Sequence, residues 1–126
     1  MLVEIVLLPL TGELTEVARA RAWARDNCAG AGADQLADIM AVVDELTSNA
    51  LRHAVPPYAL RLLRSPGYLR VEVDDGSPEL VRARAPSTTG GRGLHLVEAL
   101  TRDWGQVGHA GGKTVWAEPI VDTVAR

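Results

Sequence analysis

Glu45 and Asn49 stand four residues apart in the run Val43-Asp44-Glu45-Leu46-Thr47-Ser48-Asn49-Ala50-Leu51-Arg52-His53-Ala54. On a helix that spacing points a carboxylate and a carboxamide the same way, roughly 6 Å apart along the axis. The carboxylate can serve as a general base and the carboxamide oxygen as a neutral ligand for a hard cation such as Mg²⁺. A second acid closes Val71-Glu72-Val73-Asp74-Asp75. Continuing the inward phase of Val71 and Val73 places Asp75 on the core-facing side, where a carboxylate is costly unless something donates to it. The exocyclic N6 amine of adenine is a suitable donor, and Gly76 and Ser77 leave room for a flat base. Reading Asp74-Asp75-Gly76 with Asp74 as the ligand breaks the alternation, so Asp75 is preferred.

Two glycine-rich turns complete the set. Gly90-Gly91-Arg92-Gly93 opens an apolar helical run, and glycines before a helix let backbone N–H groups approach an anion. Gly111-Gly112-Lys113-Thr114 enters a strand pattern and is not a P-loop. Only three residues separate Gly108 from Gly112, where that motif needs four, and Val115-Trp116 continue as strand instead of helix. Singly, each feature also fits ordinary structure: a solvated helix flank, an Asp-Gly-Ser-Pro turn, a glycine loop. Their fixed order carries more than any one of them.

Positioning them requires a particular set of elements. Residues 2–8 read as a strand that Pro9 to Gly12 break. Leu14, Val17, Ala18, Arg21, Ala22, Ala24 and Arg25 fit a helix over 13–29, ended by Gly30 and Gly32. Leu36, Ile39, Met40, Val43, Leu46, Ala50 and Ala54 mark the apolar stripe of a long helix over 34–54, stopped by Pro56-Pro57. Residues 58–64 and 68–74 form a hairpin about Ser65-Pro66-Gly67. A loop follows to Thr89, then a short helix through Leu100, then a hairpin of 104–109 and 113–118, with a loose tail after it. The expected architecture is α+β: a two-layer sandwich with a mixed, mainly antiparallel sheet and three helices on one face.

Composition narrows the function classes. The 126 residues suit a single domain over 1–126, and a formal charge of −3 argues against a direct nucleic-acid surface. The lone Cys28 suits a reducing cytoplasm, and the Met1–Leu8 segment is too short for a membrane span. His53, His95 and His109 are scattered and show no zinc spacing. The serines lack the strained turn of a nucleophile.

The ordered set Glu45-Leu46-x-x-Asn49-Ala50, V-x-D ending at Asp75, Gly91-x-Gly93-Leu94 and Gly112-Lys113-Thr114 resembles the GHKL ATPase family, whose ATP-binding fold is the Bergerat fold. The resemblance covers nearly the whole chain. It is greatest to small anti-sigma-factor serine/threonine kinases of actinobacterial type, and Asp103-Trp104-Gly105 and Val115-Trp116 add to it. It implies ATP and Mg²⁺ as cofactors, Glu45 as general base, Asn49 as Mg²⁺ ligand, and Asp75 as acceptor from adenine. Gly91, Gly93 and the backbone of Leu94 are implied at the phosphates, and Thr114 at the adenine end. The implied partners are a sigma factor and an anti-anti-sigma antagonist of STAS type, with a homodimer compatible. Larger relatives with phosphoacceptor or transducer domains do not fit 126 residues. The alternative is a non-catalytic ATP-binding interaction module of the same fold.

Overall fold

The computed structural model describes residues 2–80 and 92–121, the first three of the latter by backbone alone. The elements run β1 (Glu4–Leu10), α1 (Glu16–Asp26), α2 (Ala33–His53), β2 (Tyr58–Ser65), β3 (Tyr68–Asp75), α3 (Arg92–Leu100), β4 (Thr101–His109) and β5 (Gly112–Pro119). The strands form one sheet in the order β1-β2-β3-β5-β4. Every observed pairing is antiparallel, so the expected mixture reduces to its main component. The expected loop over 79–89 and the tail fall largely outside the described residues.

Strand alternation sorts the sheet into two faces. Leu60 and Leu62 of β2, Leu69, Val71 and Val73 of β3, and Val115 and Ala117 of β5 are buried. They pack toward Ile39, Val42, Val43, Leu46 and Ala50 of α2, which rests on all three strands. Each such side chain removed from water contributes about 1.5–3 kcal/mol before conformational entropy is subtracted. α1 packs on α2 through Ala20 and Ala24, small residues that let two backbones come close.

The β2–β3 hairpin closes with Pro66-Gly67, where Gly67 takes the positive φ of 73° that its turn requires. Several boundaries differ from the sequence expectation. β1 does not stop at Pro9 but continues to Leu10, because β1 is an edge strand and the missing N–H of Pro9 costs no ladder bond there. α1 begins only at Glu16, leaving Leu14 exposed before it, and ends at Asp26, well before the glycines.

Glu16 supplies a tether with no sequence signal. Its carboxylate accepts from the Thr11 N–H (2.9 Å) and from Arg19 Nε (2.6 Å), and Arg19 also donates to the Pro9 carbonyl (2.8 Å). This closes the β1–α1 connection. The Arg19 guanidinium, the Thr11 N–H and Coulombic attraction to Arg19 outweigh burial and hold the Glu16 carboxyl down to about 2. A depressed carboxylate stabilises the fold fully above its ordinary value of 4.5, and that stabilisation is lost as pH falls toward 2. Urea unfolding across that pH range should therefore show a smaller loss of stability for Glu16→Gln than for the unsubstituted protein.

Candidate functional site

Asp75 ends β3 on the core side, 3% exposed, and Asp74 before it faces the open side of the sheet. The alternation thus separates two neighbouring acids onto opposite faces. Lys113 lies directly across from Asp75 on β5 and Thr114 across from Asp74. The Lys113 ammonium donates to Asp75 Oδ1 at 3.1 Å and stands 3.0 Å from Oδ2. Oδ1 also accepts from the Ser77 N–H at 2.8 Å. Lys113 itself is 3% exposed, so this is a buried ion pair.

Thr114, expected at the adenine end, is bonded to Asp74 and not to Asp75. Its hydroxyl donates to Asp74 Oδ1 at 2.6 Å on the open face, with His109 Nε2 at 3.3 Å. Asp74 is further gripped by Arg61, whose Nη2 donates at 2.8 Å. Burial would raise the Asp74 carboxyl, but the hydrogen bonds from Arg61 and Thr114 prevail and hold it below its ordinary value. Lys113 is the residue that sequence reading passed over. The phase of buried Val115 and Ala117 carries back to it and would have found it.

Backbone contacts fasten the end of α2 to this corner. The Gly76 N–H donates to the Val55 carbonyl at 2.7 Å. A Cβ on Gly76 would come within 2.2 Å of the Pro56 carbonyl oxygen, so the α2–β2 connection crosses directly over the residue after Asp75. Gly112 is as confined: φ is 156° and a Cβ would come within 1.9 Å of the Asp75 carbonyl oxygen. Asp75, Gly76, Gly112 and Lys113 therefore meet where the last turn of α2 ends.

Glu45 and Asn49 lie half-buried on α2, one turn apart. Asp44, about 100° round the helix from Glu45, turns to α1 and binds Arg21 at 2.9 Å. Neither Glu45 nor Asn49 makes a side-chain hydrogen bond or ion pair with a described residue. Gly93 and Leu94 fall in the first turn of α3, which packs on α2 and β4, and Gly91 lies outside the described residues. Among the described residues no cluster of His, Cys, Asp or Glu forms a metal site, and no helix is long and apolar enough to cross a membrane. Cys28 is buried and its thiol is pushed up to about 11 by that burial, with Arg64 opposing, so it is no nucleophile at neutral pH.

The family model of the histidine kinase-like ATPase domain matches residues 10–118. The chain belongs to that family. The match takes in α2, the Asp75 corner and the final hairpin. The fold is similar to that of the RsbU and RsbW domains of Rv1364c from Mycobacterium tuberculosis, with a TM-score of 0.72 and 22% identity. That similarity covers 98% of this chain and 34% of the other, so the chain spans about a third of its length. Comparison with curated proteins returned no match.

The donor set suits a nucleotide of the kind this ATPase family takes. Asp75 is an acceptor at the sheet's end, and Asn49 and Glu45 are oxygen groups left unengaged by the described residues. Two substitutions probe the corner. Lys113→Ala leaves a buried carboxylate without its cation and should cost about 3–5 kcal/mol in urea unfolding. Gly112→Ala forces a backbone shift between β3 and β5 and should cost more than about 2 kcal/mol in the same measurement, whereas Thr114→Val on the open face should cost about 1 kcal/mol.

Proposed function

We propose that this chain binds ATP with Mg²⁺ and acts as an anti-sigma-factor serine/threonine kinase. It holds a sigma factor and phosphorylates an anti-anti-sigma antagonist of STAS type in the cytoplasm. The observation that carries the reading is the Asp75 corner inside a family match running from 10 to 118. There a core-facing carboxylate closes β3 beside a helix whose Glu45 and Asn49 side chains are held by no other described residue.

Bound ATP supplies the γ-phosphoryl group. Asp75 accepts from the adenine amine. Asn49 offers its carboxamide oxygen to Mg²⁺, and Gly91, Gly93 and the backbone of Leu94 are assigned to the phosphates. Glu45 takes the proton from the attacking serine or threonine hydroxyl of the antagonist. Positioning and charge neutralisation supply most of the acceleration in such transfers. Thr114 is assigned to the adenine end through its place beside Lys113 on β5, with its hydroxyl donating to Asp74.

A non-catalytic switch of the same fold is the second reading. One observation favours it: Asp75 is already ion-paired with a buried Lys113, which takes up part of its acceptor capacity.

Titration with Mg·ATP should give measurable heat and raise the melting temperature. Asp75→Asn should weaken binding about ten- to hundredfold, whereas Asp74→Asn should leave it within a few-fold. Glu45→Ala should retain ATP binding and lower transfer of labelled γ-phosphate to the antagonist by about a hundredfold or more. Comparable transfer by Glu45→Ala would remove the base assignment, and binding without any transfer would establish the second reading.

A further inference from the structure

We propose that Lys113 is a specificity-determining residue that reads the nucleotide base, its ammonium donating to ring nitrogen N1 of adenine while Asp75 accepts from the N6 amine. The inference rests on the nucleotide-binding reading above. Lys113 is the sole lysine of the chain. It is held in place by its strand: it pairs in register with Asp75, and Gly112 before it packs against the Asp75 backbone too closely for any side chain.

The hydrogen bonds leave capacity over on both partners. An ammonium has three N–H donors, and Lys113 gives one of them to Asp75 Oδ1. No described residue other than Asp75 accepts from it. On the carboxylate, Oδ1 accepts from both Ser77 and Lys113, whereas Oδ2 lies against the ammonium as an ion-pair contact and accepts no hydrogen bond from a described residue. The pair therefore retains donor and acceptor capacity side by side, on atoms 3.0 Å apart. The side chains of Lys113 and Asp75 are 4% and 1% exposed, so bulk water does not satisfy them.

A donor with spare N–H groups beside a carboxylate with spare acceptor capacity, in a dry site, is complementary to a ligand edge carrying an acceptor beside a donor. Adenine presents that edge at N1 and its amine. Hydrogen bonds to charged groups are about twice as strong as neutral ones, so losing the N1 contact should cost about ten- to hundredfold in affinity.

The test compares Mg·ATP with Mg·1-deaza-ATP, in which N1 is replaced by C–H, by titration calorimetry. The unsubstituted protein should bind the deaza nucleotide about ten- to hundredfold more weakly. Lys113→Met, verified as folded by circular dichroism and a cooperative melt, should bind the two nucleotides alike. Equal binding of both by the unsubstituted protein overturns the proposal, as does an undiminished preference in folded Lys113→Met. Should Lys113→Met fail to fold, the comparison on the unsubstituted protein decides alone. Absence of binding to ATP itself would instead overturn the nucleotide-binding reading on which the proposal stands.

Discussion

A carboxylate buried at the end of a central strand must be answered by a donor, and at Asp75 the answer comes from across the sheet. The Lys113 ammonium can reach it only if β3 and β5 are neighbours in the observed register. That adjacency places the β4–β5 hairpin outside β3 and leaves α3 to make the connection. The same corner receives the end of α2 through the Gly76 to Val55 hydrogen bond. Sheet order, helix placement and the candidate site thus share one small set of contacts.

The parts legible in the sequence were those governed by a single period. α2 follows from its apolar stripe between Gly32 and Pro56-Pro57, and Asp75 was assigned to the core side by counting along Val71 and Val73. Lys113 was passed over because the same counting was not applied to β5, where Val115 and Ala117 send Lys113 inward and Thr114 outward. Lysine is also rarely fully buried unless paired, and its partner is 38 residues away. Glu16 shows a different limit. It is an ordinary acid in the first turn of a helix, and only the fold brings the Thr11 N–H to it. Pro9 reads as a strand breaker until the sheet order makes β1 an edge.

The open face of the sheet is organised by charge instead of carbon. Arg61 spans Glu72 and Asp74, while Arg70 binds Glu72 and lies 4.0 Å over the Trp116 ring. Gly105 makes room for that ring, since a Cβ there would stand 2.8 Å from it. Partly exposed pairs of this kind contribute little stability each. Their effect is on register, because slipping β3 by one residue would send Asp74 and Glu72 into the apolar layer and Val73 out of it. The two adjacent aspartates therefore divide two tasks, Asp74 fixing the strand from outside and Asp75 facing the site from within.

Stability alone does not account for the inner pair. Desolvating a carboxylate and an ammonium costs several kcal/mol per ion, and replacing such a pair with well-packed carbon is often neutral or stabilising. Val73, Val115 and Ala117 already line this layer, so apolar side chains at 75 and 113 would extend an existing core. What carbon would lack is direction. An ion pair presents donors and acceptors at fixed angles, and here it does so at the sheet's end, beneath a turn whose Gly76 and Ser77 leave the carboxylate flanked by backbone instead of bulk. A directional polar group buried at a cost in stability fits a site that must meet the polar edge of something from outside the chain.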